Sequence, residues 1–189
     1  MFNLRDYQHG DFEELHRIDT DCFQPGIAYS RGELQSYVQR KQSFCIIAEA
    51  AENNSSTAGA VLAGNSEGEG HQSAGAKHSS ETHKQGGRGG SRKVGIAGFV
   101  VVELHQEGYG HVITLDVRSD FRRHRLGTLL MQAAEERVRK LGGFMMVLEA
   151  AVNNAGALAF YERHRYKILK RLPRYYNHNL DALFMTKRL

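Results

Sequence analysis

The chain has 189 residues, of which 41% are apolar and 24% charged, with a net charge of +4, the profile of one globular domain with a real core. No run approaches the roughly 18 apolar residues that cross a bilayer. The start Met1-Phe2-Asn3-Leu4-Arg5-Asp6 lacks a signal-peptide layout, and two cysteines, Cys22 and Cys45, are too few for a disulfide framework. Secreted scaffold, membrane span and collagen-like fibre are excluded, and a cytoplasmic location is the expectation. Phe2 to Arg5 reads as a short strand. Phe12, Leu15, Ile18, Asp19 and Cys22 recur at helical spacing across Asp11 to Phe23. Ser30-Arg31-Gly32-Glu33 is a capping-box pattern that opens a second helix carrying Leu34, Tyr37 and Val38. Phe44-Cys45-Ile46-Ile47-Ala48 is a buried strand.

Residues 51–93 break this rhythm. They hold nine glycines, seven serines and no aromatic residue, too little apolar surface to offset the entropy of ordering. The expectation is a disordered Gly/Ser/His-rich insertion inside a single domain spanning 1–189. Its His71, His78 and His83 lack zinc-like spacing, so no metal is expected. Val94 to Leu104 and Gly108 to Val117 then form a hairpin about the polar turn His105-Gln106-Glu107-Gly108. Leu126, Leu129, Leu130, Ala133, Ala134, Val138 and Leu141 line one face of a long helix that Gly142-Gly143 ends. Phe144 to Leu148 is a strand, Asn154 to His164 a helix, and Tyr166 to Leu169 and Asp181 to Thr186 the last strands. The order β-α-α-β-β-β-α-β-α-β-β is a mixed α/β (α+β) fold with one crossover helix.

The chemistry concentrates where the third of these helices begins. Arg118, Arg122, Arg123 and Arg125 fall within eight positions, just before a helix whose first N–H groups lack intrahelical acceptors. Such a start attracts anions, guanidinium groups suit phosphate, and Gly127 lets a ligand approach the backbone. A pyrophosphate is the expected ligand. Arg122-Arg123-His124-Arg125-Leu126-Gly127 resembles the Gln/Arg-x-x-Gly-x-Gly/Ala motif of the GNAT family of N-acetyltransferases, which bind acetyl-CoA. Leu148-Glu149-Ala150-Ala151-Val152-Asn153-Asn154 through Tyr161 to Tyr166 resembles that family's strand-then-helix signature. The nearest likeness is to the ribosomal-protein alanine and other protein N-terminal acetyltransferases. Leu148-Glu149, Tyr175-Tyr176, Asp181-Ala182 and Met185 carry it, with Cys22-Phe23 and Ser30 to Leu34 resembling the wall of the peptide cleft. The chain departs from the pattern at Arg125 and Arg165, both at usual glycine positions, at Tyr166 for Phe, and at Ala150-Ala151 for Val-Arg.

The resemblance implies a mixed sheet of six to seven strands with about four helices. It implies acetyl transfer from acetyl-CoA, without a metal, to a protein N-terminal α-amine. Within the family the alternative acceptor is a small amine such as a polyamine, amino acid or antibiotic. More distant alternatives are a non-catalytic CoA-binding or nucleic-acid-binding protein. On the resemblance, Glu149 is the base and Tyr161 the donor to the leaving thiolate. The backbone of Leu115, Asp116 and Val117 pairs with pantetheine, and the Val117 N–H meets the thioester carbonyl. Arg122, Arg123, His124, Arg125, Leu126, Gly127 and Thr128 surround the pyrophosphate, and Asn154 bonds the pantetheine arm. Phe23, Tyr175 and Tyr176 border the acceptor. No membrane or nucleic-acid partner is expected, and the protein would be a monomer or homodimer.

Overall fold

A computed structural model describes residues 1–50, 95–176 and 179–189; the expected insertion at 51–93 lies outside them. Strand β1 (Phe2–Asp6) leads to α1 (Phe12–Cys22) and α2 (Arg31–Gln39), then β2 (Ser43–Ala50). Strands β3 (Ile96–Leu104) and β4 (Tyr109–Val117) form the hairpin, followed by α3 (Leu126–Lys140) and β5 (Met145–Ala151). Helix α4 (Ala155–Arg163), β6 (Lys167–Tyr176) and β7 (Leu180–Arg188) complete the chain. The element order matches the sequence expectation, and the strands join one seven-stranded sheet in the order β1-β2-β3-β4-β5-β7-β6. Among the described residues no helix is long and apolar enough to cross a membrane.

Each continuous apolar strand is divided between two cores, because successive side chains point to opposite faces. Cys45, Ile47, Phe99 and Val101 meet Phe12, Leu15 and Ile18 of α1 and Leu34 and Val38 of α2. Ile46, Ala48, Val100, Val102, Met146 and Leu148 meet Leu126, Leu130, Met131, Ala134 and Val138 of α3. Gly110 sets how closely α3 can lie on the sheet: a Cβ there would stand 2.6 Å from the Val138 side chain. Ser30 caps α2 as its sequence pattern required, with Glu33 closing the box.

The last two strands are longer than the sequence suggested. Strand β6 runs on through Lys170-Arg171-Leu172-Pro173 to Tyr176, so the Tyr175-Tyr176 pair closes a strand instead of sitting in a loop. β6 is an edge strand and mostly exposed; it therefore needs no apolar alternation, and it tolerates a proline.

Two irregularities shape the middle of the sheet. Val101 pairs with Thr114 but Val102 with Val112, so Ile113 is an extra residue in β4 and bends it. β4 and β5 are the parallel pair, and they meet only at Tyr109–Met145, Gly110–Met146 and His111–Val147. Beyond that, β4 from Val112 to Val117 has no β5 partner, and β5 from Leu148 to Ala151 pairs with β7 alone. A wedge-shaped gap opens in mid-sheet.

Candidate active site

The gap exposes alternate backbone groups of β4. The Arg118 N–H bonds the Ala97 carbonyl at 3.0 Å, which makes Gly98–Val117 a non-hydrogen-bonded pair. The N–H of Val117, and by the same alternation that of Leu115, therefore points away from β3 into the gap. Asp116 faces the other way. Its side chain is fully buried and accepts a 2.8 Å bond from the Thr114 hydroxyl, so Asp116 shapes the strand while its two neighbours present donors.

At the end of β4 the chain makes a short turn (Ser119–Phe121) and enters α3 through a loop with two left-handed residues, Arg123 (φ 65°) and Arg125 (φ 60°). Arg125 is the residue before α3, and its side chain accepts no bond from the helix. The first α-type bond at this end, from the Leu129 N–H, reaches the Arg125 carbonyl at 3.1 Å. The N–H groups of the first turn thus remain available to an anion. Left-handed backbone explains why the family has glycine at this motif position, since only glycine adopts it without strain.

The loop arginines divide into two kinds. Arg118 is held by Asp120 at 2.7 Å, and Arg122 donates to the Val117 carbonyl at 3.0 Å and lies 3.7 Å from the Cys22 sulfur. These two stitch the loop to α1 and the sheet. Arg123, His124 and Arg125 are exposed, and neither arginine is ion-paired among the described residues. Leu126 is buried and offers only its N–H. Gly127 lies against α4, where a methyl group would sit 3.4 Å from the Phe160 ring. The Thr128 hydroxyl bonds His164 Nε2 at 3.0 Å, linking α3 to the end of α4. Asn154 caps α4, its side-chain oxygen accepting the Ala157 N–H at 3.0 Å; its amide NH2 is the part left for a ligand.

On the α1–α2 side of the sheet, Glu149 bonds His111 Nε2 at 2.6 Å. His111 is the last residue of β4 paired with β5, and Glu149 lies two residues beyond the last pair on β5, so the two bridge the mouth of the gap. Tyrosines surround them. Tyr29 stacks edge-on with Tyr37 at 5.3 Å and donates to the Ile113 carbonyl of the bulge at 3.3 Å. Tyr175 and Tyr176 pack edge-on at 4.9 Å, and the Tyr176 hydroxyl reaches the Glu149 carbonyl at 3.4 Å. Burial, then the nearby Glu149 and Tyr37 charges, pushes the Tyr175 phenol up to about 12. Phe23, expected at this cleft, caps α1 through its N–H to the Asp19 carbonyl and joins none of the ring contacts among the described residues; the cleft aromatic from that connection is Tyr29. Tyr161 lies across the sheet in the α3–α4 core, packed edge-on against Tyr166 at 5.7 Å. Burial, then the Asp116 and Tyr176 charges, raises its phenol above the ordinary range, which keeps the hydroxyl proton in place.

His111, Tyr29 and Tyr37 were not singled out as site residues. Tyr37 reads as one more apolar position of an amphipathic helix, and His111 alternates along a strand like any solvent-facing polar residue. Only the pairing of β4 with β5 brings His111 against Glu149.

The open helix start and the His111–Glu149 pair flank the gap where β4 and β5 part, and known proteins share the fold. Ard1 from Thermoplasma volcanium superposes with a TM-score of 0.70 at 17% identity, covering 100% of this chain and 97% of that one. The ribosomal-protein-S18-alanine N-acetyltransferase of Escherichia coli gives 0.68 at 16%, covering 100% and 94%. In sequence, an uncharacterized N-acetyltransferase of Methanocaldococcus jannaschii is 37% identical over 94 residues, 49% of this chain and 60% of that one. N-alpha-acetyltransferase 30 of Schizosaccharomyces pombe is 36% identical over 73 residues, 39% and 49% of the two chains. The chain thus spans about half the length of the curated relatives it matches. The profile of the acetyltransferase (GNAT) family matches residues 12–166, which takes in both motifs and every element that frames the gap; this chain belongs to that family.

Proposed function

We propose that the protein transfers an acetyl group from acetyl-CoA to the N-terminal α-amine of a protein. The observation that carries this reading is the gap between β4 and β5, which connects an uncapped helix start on one side to the His111–Glu149 pair on the other. The residues fit the cofactor. Arg123 to Thr128 would hold the pyrophosphate with backbone N–H groups and two unpaired guanidiniums, while Leu115, Val117 and the Asn154 amide would hold the pantetheine arm. Relatives named N-alpha-acetyltransferases support the acceptor class, and the Arabidopsis NAA60 fold was determined with acetyl-CoA.

Acetyl-CoA supplies an activated thioester; the chain supplies proton handling and charge stabilisation. An α-amine has an ordinary pKa near 8, so a modest base removes its proton. Glu149, held by His111 Nε2 at 2.6 Å, takes that proton directly or through a water. The Val117 N–H faces the gap where negative charge develops on the carbonyl oxygen. Tyr161, held protonated by its burial, donates to the leaving sulfur. Cys22 takes no covalent part: burial, then the Asp116 charge, pushes its thiol up to about 11 and it donates to the Val117 carbonyl.

Among the described residues the cleft around Glu149 is built of phenol rings with one carboxylate, which suits a peptide backbone better than a polycation. The test is a panel of N-terminal peptides, polyamines and aminoglycosides incubated with radiolabelled acetyl-CoA. Peptide α-amines should be the preferred acceptors; turnover of a small amine with no peptide acetylated would overturn the assignment.

A further inference from the structure

We propose that a second surface of this domain, separate from the acetyl-transfer site, binds the phosphodiester backbone of a single-stranded nucleic acid. An open recess of about 670 Å³ is lined by Arg139, Arg163, Arg165, Lys167, Lys187 and Arg188. These six come from the ends of α3, α4 and β7, the turn after α4 and the start of β6. Their convergence is invisible in the sequence, because they come from five separate segments. The recess also lies away from the gap. Met145 in its wall is the first residue of β5, at the closed end of the β4–β5 pair, about 13 Å along the strand from Glu149.

Among the described residues no carboxylate lines the recess. Lys187 is neutralised by Glu135 at 2.6 Å, and the other five cations form no ion pair among the described residues. Complementing a helix dipole accounts for Arg139 and Arg163, each in the last turn of its helix. It does not account for Arg165, Lys167 and Arg188. Arg165 is the most informative: it holds φ 69°, a conformation that costs a side chain about 1–2 kcal/mol and glycine nothing. An arginine kept in that conformation and turned into a cationic recess points to an anionic ligand.

The shape and chemistry select the ligand. A protein partner needs an apolar centre, and Met145 is the single apolar residue of the wall. A bilayer is flat and cannot enter a concavity. A duplex, with a persistence length of about 50 nm, bends into one only at a cost, whereas a flexible strand can lay successive phosphates along it. Arginine forks favour phosphate oxygens in bidentate contacts.

Fluorescence anisotropy with labelled RNA and DNA single strands of about 20 nucleotides tests this over a salt series. Both should bind, because the contacts are to the backbone. Arg139→Glu with Arg188→Glu should weaken binding at least about tenfold and lower the slope of log K against log salt by about 2. Arg17→Glu with Lys41→Glu, the same charge change elsewhere, should alter it less than about twofold. Arg165→Gly should raise the melting temperature while weakening RNA binding several-fold, opposite signs that a purely structural arginine would not give. Acetyl-CoA affinity and peptide acetylation should be unchanged in all of these. Equal RNA affinity in the patch and control variants overturns the proposal. So does a parallel loss of acetyl-CoA affinity, which would make the recess part of the cofactor site. Patch-dependent binding of a poly-glutamate peptide or of phosphatidylserine vesicles without binding of RNA overturns it as well.

Discussion

His111 and Glu149 come from neighbouring parallel strands and meet where those strands stop pairing. Removing one partner leaves the other half-buried and without its bond, so the two losses should not add. His111→Gln and Glu149→Gln are each expected to lower kcat/KM by about 100-fold or more, and the double variant to fall little below the worse single one. Steady-state kinetics with a peptide acceptor decides this; additive losses would mean two independent roles. Arg125 poses the opposite situation, a residue whose backbone is strained and whose side chain is exposed beside an uncapped helix. Glycine removes a left-handed penalty of about 1–2 kcal/mol but loosens the unfolded chain by about 0.5–1 kcal/mol. Arg125→Gly should therefore raise the melting temperature by about 1–3 °C. It should also weaken acetyl-CoA binding a few-fold through the lost guanidinium, read by calorimetry on the same sample.

At the scale of elements, the ends of α3 and α4 differ in a telling way. Helix α4 begins with Asn154 bonded to the Ala157 N–H, whereas α3 begins with no side-chain cap. A helix whose only task is packing gains about 1 kcal/mol from a cap, so an open start at the motif loop marks where an anion would stand in for one. Asn154→Ala should cost about 1 kcal/mol in chemical denaturation, and the change should persist without cofactor because capping needs none. The elements themselves were legible because each obeys a local rule: helical spacing in α1, a capping box at α2, alternate faces in β2 to β4. The loop that opens α3 was legible for the same reason, since its arginines and Gly127 are neighbours in sequence. What escaped was non-local. The three-residue β4–β5 contact joins strands more than 30 residues apart, the Ile113 bulge is an offset in the β3–β4 pairing, and the far half of β6 escaped because an exposed edge strand carries no periodic signal. His111 meets Glu149 only through the β4–β5 pairing, and Tyr29 reaches β4 only through its bond to the Ile113 carbonyl.

Across the whole molecule the sheet is two halves joined by three residue pairs, and beneath that weak seam lie two buried carboxylates, Asp19 and Asp116. Each leaves its Oδ1 without a hydrogen-bond partner among the described residues. Burial raises Asp116 well above the ordinary carboxylate range, with the Asp19 charge adding to it. Burial also lifts Asp19 to about 6 from an ordinary 3.8, against the opposing bond from the Tyr29 N–H. A raised folded-state value means that the native protein binds the proton more tightly than the unfolded chain does. The stabilising contribution is fully present below about pH 4 and is lost as pH rises through about 6. A shift of this size corresponds to on the order of 3 kcal/mol. Asp11 works in the opposite direction, since its bond to Arg5 holds it low, so the wild-type curve alone mixes the two. Asp19→Asn separates them: the amide oxygen still accepts the Tyr29 N–H, but no charge is buried beside Asp116. Denaturation at pH 4.5 and 7.5 should show the variant gaining stability over wild type at the higher pH and little at the lower. The gain should extend to the cleft, because Tyr29 links this carboxylate to the Ile113 carbonyl of the bulge. If wild type and variant respond to pH alike, the folded protein holds the Asp19 proton no more tightly than the unfolded chain does, and burial does not raise this carboxylate.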